Sequence, residues 1–401
     1  MAEIAETSLV RRASPGDAAR TRAPVAPAGA LTPLADIPAA QWRALSERVT
    51  EPNGYYLPEW ELAVNASARG RVGASALSAW SDTAELTGLM PVISMWRAYR
   101  IPLPVWVSAD PYGSLSTPLL GRDHAEQAAG RLLDGARKAG AHALMLRDMS
   151  LDGAAMKAFT AVLARDGLTP RVLQSHVRAA LDATLDPDEL LRDGLGPKKL
   201  KELRRQRNRL GDHGEVHFNV ARTPAEVTAA LETFLNLEAS GWKAKRGTAL
   251  VQHAGDAAFI RRATPDLAAT GQCEIVTLRA GETPVAAAIV LRHQDRAFYF
   301  KLGVDERFSK FSPGVQLTLD LTRHLCADPT ITLVDSTANA DHPMINPIWR
   351  GRLAIGDVLI PLRRGDVVAT LAQTALSLRK LAREPARRAI RFIRERQEKS
   401  S

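Results

Sequence analysis

Apolar and polar positions alternate with two different periods along the chain, and short polar breaks separate the blocks. Ala39–Val49, Glu59–Ala68 and Ala125–Ala139 repeat their apolar positions at helical spacing, whereas Ala74–Trp80, Leu86–Met95 and Ala143–Arg147 read as strands. Leu173–Ala183 predicts a further strand. Two helices follow back to back: one opens at Pro187 behind Asp186 as N-cap, the other at Pro197. The second carries Leu200, Leu203 and Leu210 as its apolar stripe and closes at Gly211 or Gly214.

The next stretch mixes both periods. Val216–Ala221 predicts a strand. Thr223 with Glu226 three residues on predicts a capping box for a helix to about Ser240, and Asp256–Ala269 predicts another helix. Cys273–Ala280, Pro284–His293 and Ala297–Val304 form a predicted meander, with turns at Gly281-Glu282 and at 294–296. A helix at Gly314–Ala327 and strands at Ile331–Asp335 and Ala354–Leu362 complete the order, which is that of an α+β fold with a central sheet. A weak internal repeat relates Tyr112–Asp148 to Gly303–Asp335. Each runs from a Ser/Pro/Gly-rich loop through a helix to a short strand ending in Asp.

Composition narrows this picture. The 401 residues allow two or three domains, and 45% apolar with 24% charged residues is enough for a core without covalent staples. Two cysteines, Cys273 and Cys326, make no disulfide framework, so a reducing, cytoplasmic compartment is expected. The nine histidines show no ligand spacing, so no metal is expected. The longest apolar run, near Val285–Leu291, is strand length and not span length. Residues 1–30 are rich in Ala, Pro, Arg and Thr without periodicity and predict a disordered tail, with an arginine-rich transit peptide as the alternative. The net charge is +9, and Arg379–Lys399 alone holds nine Arg/Lys against three Glu, a net +6. Val367, Leu371, Ala375, Leu378 and Ala382 form an apolar stripe just before it. Together they predict a basic amphipathic tail able to touch an anionic membrane surface, or a plain solvated helix.

Three segments carry a resemblance: the basic helix KKLKELRRQRNRLGDHGEV (198–216), FLNLEASGWKAKRGTAL (234–250) and AFYFKLGVDERFSKFSPGVQL (297–317). In combination they resemble the GNAT-superfamily acyltransferases associated with cellulose and exopolysaccharide biosynthesis. More distantly they are similar to the Fem transferases, which carry two tandem GNAT-like domains. The resemblance implies tandem GNAT-like domains, each a mixed, mostly antiparallel sheet flanked by helices. The expected layout is a tail at 1–30, a degenerate GNAT-like domain at 31–172, a GNAT acyltransferase domain at 173–362 and a helical tail at 363–401. It also implies acyl-CoA or acetyl-CoA as co-substrate, bound between Val304 and Gly314. Where the parent family has an Arg/Gln-x-x-Gly-x-Gly/Ala loop, this chain has Phe308-Ser-Lys-Phe-Ser-Pro-Gly314.

Acyl transfer from a thioester needs a phosphate site, an oxyanion donor and a base. Ser312-Pro313-Gly314 at a helix start can offer backbone N–H groups to phosphate, with Arg307 and Lys310 adding charge, or can be a simple cap. Glu238, beside Gly241-Trp242-Lys243, is the candidate base, with Trp242 as a pocket wall and Lys243 as an acceptor contact or as the partner of Glu238. Tyr299 and Lys301 alternate on one strand and are expected to share the cleft face, Tyr299 as the acid for a thiolate and Lys301 holding a carboxylate or phosphate. Asp335, Asn339 and His342 gather at the end of the next strand, with His342 an alternative base. Asp110, Tyr112 and Arg147 are placed towards an inter-domain cleft.

The expected activity is acyl-CoA-dependent N- or O-acyl transfer to a sugar, polysaccharide precursor or other small envelope metabolite. One alternative is a Fem-like transferase using aminoacyl-tRNA, the basic helix touching RNA, although one short helix is a poor match for the coiled-coil insertion usual in Fem proteins. Another is a non-catalytic scaffold docking on membrane or nucleic acid through Arg379–Lys399. Nucleic acid is not the expected partner.

Overall fold

The computed structural model describes residues 31–241 and 247–382. Trp242, Lys243 and most of the basic run Arg379–Lys399 lie outside the described residues, as does the tail at 1–30.

Thirteen strands form one sheet among the described residues. They are β1 (Thr32–Pro33), β2 (Ser75–Trp80), β3 (Leu86–Ser94), β4 (Val105–Ser108), β5 (Leu119–Leu120), β6 (Ala143–Ser150), β7 (Arg171–Asp182), β8 (Val216–Ala221), β9 (Cys273–Ala280), β10 (Thr283–His293), β11 (Arg296–Val304), β12 (Leu333–Asp335) and β13 (Gly351–Pro361). The spatial order is β1-β2-β3-β4-β6-β13-β7-β12-β11-β10-β9-β8, with β5 pairing β3 off this path.

The topology repeats. Each half runs from a strand through two helices and a three-strand antiparallel meander into a helix, a parallel strand, a further helix and a long strand. β4 with β6 and β11 with β12 are the parallel pairs. The fold is therefore α+β with tandem GNAT-like units, and the two short segments that look alike in the sequence occupy equivalent places in it. The long closing strands are exchanged. β13, from the second unit, pairs with β6 of the first; β7, from the first, pairs with β12 of the second; and β7 and β13 pair with each other at the centre.

Burial follows the pattern of the sequence. The capping box at Thr223 and Glu226 is present and opens helix Pro224–Ser240, whose Val227, Leu231, Phe234 and Leu235 face the core. This helix and Ala254–Ala268 cover one face of β9–β11. Helices Pro187–Gly211 and Pro313–Cys326 cover the other. The predicted break at Gly196-Pro197 is real: Gly196 has φ 74°, and the long connecting helix bends there. Helix Pro58–Ser67 of the first unit packs on Ala254–Ala268 of the second, so closely that a Cβ at Gly255 would sit 2.2 Å from the Ser67 carbonyl oxygen.

Candidate functional site

The site begins with a β-bulge. In β11, Lys301 lies opposite Ile289 and Tyr299 opposite Val290, so Phe300 is the extra residue. Cross-strand partners share a face. Ile289 belongs to the core under helix Pro224–Ser240, and Val290 to the opposite core. The bulge therefore overturns the expectation that Tyr299 and Lys301 face one cleft. Lys301 lies on the face of Phe298 and Phe300. Tyr299 points the other way, buried against Trp349, its hydroxyl 3.2 Å from the Thr318 hydroxyl. Burial raises the Tyr299 pKa.

Lys301 ends 3.2 Å from a Glu238 carboxylate oxygen, and the other oxygen of that carboxylate accepts the Leu250 N–H at 2.9 Å. Glu238 is buried. Helix Pro224–Ser240 approaches β11 this closely because Gly303 has no side chain: a Cβ there would lie 3.0 Å from the Glu238 nitrogen. Lys301 Nζ also stands 5.9 Å from the Tyr112 ring centre.

Tyr112 comes from the first unit. Its hydroxyl donates to Asp256 at 3.0 Å, its N–H donates to Asp110, and the Arg71 guanidinium lies 4.3 Å over its ring while pairing with Asp110 at 2.8 Å. Burial and the Asp256 charge raise the Tyr112 pKa. Beside this group, Glu61 is buried with one carboxylate oxygen lacking a hydrogen-bond partner. Desolvation, then the Asp110 charge, push its pKa well up. Thus Asp110 and Tyr112 sit where the two units meet, as the sequence suggests. Arg147 instead donates to the Ser108 carbonyl within its own unit.

β11 and β12 pair only from Arg296–Phe298 with Leu333–Asp335 and then part. Where they part, the Thr337 hydroxyl donates to the Tyr299 carbonyl at 2.7 Å, and Ser114 of the first unit donates to the Thr337 carbonyl at 2.8 Å. Asp335 is buried in an ion pair with the buried Arg178, and its other oxygen accepts the Thr337 N–H. It is thereby fixed in the sheet. Asn339 is exposed. His342 is half-buried, its Nδ1 accepting the Ile345 N–H at 3.4 Å, and burial lowers its pKa. His342 and Asn339 lie on the loop leading to Met344, whose sulfur would be 3.7 Å from a Cβ at Gly314.

The anion-binding candidates occupy the far end of β11. Glu306–Phe311 forms a 3-10 turn. Ser312 follows at φ 54°, and Pro313 opens the next helix. Arg307 pairs with Asp305 through its Nε and Nη2, which lowers the Asp305 pKa, while Arg307 itself is 80% exposed. His213, Thr283, Arg307, Phe308, Lys310 and Phe311 line a pocket of about 300 Å³. Gly314 is buried, and a Cβ on it would meet Leu302 at 3.0 Å and Val304 at 3.2 Å. Its lack of a side chain therefore seats the helix on the strand. Glu238 and this loop are neighbours, since a Cβ at Gly241 would lie 3.2 Å from a Glu306 carboxylate oxygen.

Residues around one strand thus meet as a buried carboxylate–ammonium pair, a parted strand pair and a basic loop before a helix. Tyr299 and Asp335 are turned away into packing. Asp256, Arg71 and Glu61 were not singled out by the sequence. Their partners lie far along the chain, 144 residues in the case of Asp256 and Tyr112, and no local spacing signals such pairs.

Comparison with known proteins bears on the fold and on one segment of the chain. Residues 197–342 match the family model described as an acetyltransferase (GNAT) domain, a match that spans the basic helix, the bulged strand and the polar loop. The fold is similar to that of FemX, at 12% identity over 80% of this chain and 96% of that one, with a TM-score of 0.53. It is similar also to the C-terminal domain of a protein assigned as a lysylphosphatidylglycerol synthetase from Agrobacterium fabrum, at 13% identity over 84% and 95%, with a TM-score of 0.50. A tandem GNAT protein from the clavulanic acid biosynthesis pathway aligns at 15% identity over 84% and 99%, with a TM-score of 0.40. No curated protein shows significant similarity to the chain.

Proposed function

We propose that this protein is an acyl-CoA-dependent N- or O-acyltransferase whose acceptor is a sugar, polysaccharide precursor or other small cell-envelope metabolite. The observation that carries the reading is the bulged β11, which has the buried Glu238–Lys301 pair on one face and the 305–314 loop at its end. In this reading the donor's phosphates lie against Arg307, Lys310 and the N–H groups after Ser312, and its acyl arm follows the gap between β11 and β12. The acceptor's nitrogen or oxygen attacks the thioester carbonyl, Glu238 takes the acceptor's proton, the C–S bond breaks and the thiolate leaves. Lys301 holds the Glu238 carboxylate in place, and Tyr112 walls the acceptor side. His342 on the loop beside Gly314 is the alternative base.

Calorimetric titration of the full chain with CoA and acetyl-CoA tests the donor. Micromolar binding is expected, weakened at least about tenfold by Arg307→Glu with Lys310→Glu, since each reversed charge removes one charge-assisted contact and adds repulsion. Both side chains reach solvent, so the substitutions leave the fold intact, whereas a side chain at Gly314 would disturb packing first. Absence of binding rules the acyl-CoA reading out.

A second reading has one observation of its own. Arg192, Lys198, Lys201, Arg204, Arg205 and Arg209 have no ion-pair partner among the described residues. Arg192 and Arg204 also line a pocket of about 310 Å³ against helix Pro313–Cys326. An aminoacyl-tRNA donor would use such a surface, and binding of RNA that falls steeply with salt, without binding of CoA, would favour it.

A further inference from the structure

Residues 367–382 form a helix with two different apolar faces. Ala369 and Ala372 are fully buried and, with Leu376, pack on Met95, Val105, Val107, Met145 and Leu359. This is the face that holds the helix on the first unit. The opposite face carries Val367, Leu371, Leu378 and Leu381, which are 68%, 51%, 61% and 62% exposed. At 100° per residue these four fall within an arc of about 80°. They make an aliphatic row about 20 Å long, at 1.5 Å per residue, with the exposed Thr374 between Leu371 and Leu378. Isolated exposed leucines need no explanation, but a single-sided row of four on a helix already anchored by its other side marks an interaction surface.

Charge indicates what covers it. Arg379 donates to the Tyr99 carbonyl at 2.7 Å and lies over the Tyr99 ring, tying the helix end to the 95–99 turn. On that turn, Trp96 is 52% exposed, with Arg100 5.7 Å from its ring centre. Lys380 is exposed and has no ion-pair partner among the described residues. From Arg383 to Lys399 the sequence adds seven Arg/Lys against three Glu. Aliphatic residues in a row, an exposed tryptophan and a cationic continuation together match the interface of an anionic lipid bilayer. Two copies meeting in parallel along the stripe would instead bring two cationic segments together, and an antiparallel pair would leave the cationic segments without a partner charge. No helix among the described residues is long and apolar enough to cross a membrane.

We propose that the outer face of helix 367–382 docks the protein on the surface of anionic membranes, with Val367, Leu371, Leu378 and Leu381 entering the headgroup boundary and the net positive charge of the sequence that follows selecting anionic lipid. The surface is distinct from the acyl-transfer site, and its test does not depend on that chemistry.

The experiment is co-sedimentation of the full chain with phosphatidylcholine vesicles, with and without phosphatidylglycerol, at low and high salt. It is repeated for Leu371→Asp with Leu378→Asp, whose side chains already face solvent, and a circular dichroism melt of the variant establishes that it is folded. The wild type is expected to pellet with the anionic vesicles at low salt, far less with the neutral ones, and the double variant to bind at least about tenfold more weakly. Failure of the wild type to bind at low salt overturns the proposal. So does equal binding to both vesicle types, undiminished binding by the folded double variant, or a dimer in sedimentation equilibrium that the double substitution splits.

Discussion

At the scale of single residues, burial decides which polar groups are structural. His293 is buried between the units, its Nδ1 accepting the Asn53 N–H at 2.9 Å and its Nε2 2.8 Å from the Ser46 carbonyl. That arrangement suits the neutral imidazole, and burial lowers its pKa from the usual 6.5 to about 4. In the unfolded chain the group protonates near 6.5, so its contribution is complete above that pH and is lost as the pH falls from 6.5 towards 4. A shift of this size corresponds to at most about 3 kcal/mol. Urea denaturation at pH 7.5 and pH 5 is expected to show a smaller pH-dependent loss for His293→Gln than for the wild type. Equal losses would remove His293 from the account. The same scale shows why two residues were misjudged from spacing. Tyr299 and Lys301 alternate as on a regular strand, but one bulged residue puts them on opposite faces. Asp335 lies at a strand end, where ligands often bind, yet the buried Arg178 holds it.

At the scale of elements, most helices and strands were legible because each carries its own period and stop signals. The capping box at Thr223, the Asp186 N-cap and the two hairpin turns of the meander stand where the sequence puts them. The elements that escaped were those with weak local signals. β4 is only four residues long, just after Pro102 and Pro104. In Ala154–Arg165 the buried Ala155, Met156, Phe159 and Leu163 are blurred by Ala154, Ala161, Val162 and Ala164 on other sides. Element packing gives its own prediction. Gly303→Val would place a Cβ 3.0 Å from the Glu238 nitrogen and 3.2 Å from the Phe234 carbonyl oxygen, both backbone atoms that cannot swing aside. Helix Pro224–Ser240 must then lift from β11, at a cost of about 1–3 kcal/mol. A lower urea midpoint is expected, together with loss of the proposed acyl transfer out of proportion to stability, because Glu238 and Lys301 move apart. An unchanged midpoint would show that the helix is free to shift.

At the scale of the whole molecule, the exchange of β7 and β13 makes the two units depend on each other. Each closing strand completes the sheet of the other unit, and Arg178 on β7 ties Asp335 of the second unit to the Ser114 carbonyl of the first. Neither unit can lose its packing without exposing the central strands. Calorimetric unfolding is therefore expected to show one transition, with van't Hoff and calorimetric enthalpies in agreement. Two resolved transitions would mean that the exchanged strands do not couple the units. The contact of Tyr112 from the first unit with Asp256 and Lys301 of the second exists only when both units are folded together.

The sequence by itself determined the local elements, the α+β class, the repeat of a loop, helix and strand, the basic helix, and the apolar stripe that precedes the basic end. Each of these is set by neighbours within a few turns or one hairpin, where periodicity and capping act. Tertiary structure alone decided which closing strand serves which unit, which side of the bulge each β11 residue takes, that Asp335 is held by Arg178, and that the stripe on helix 367–382 faces outward while Ala369 and Ala372 face in. Those outcomes depend on pairings between residues tens to hundreds of positions apart. Such pairings follow from the packing of the whole chain and leave no local pattern to read.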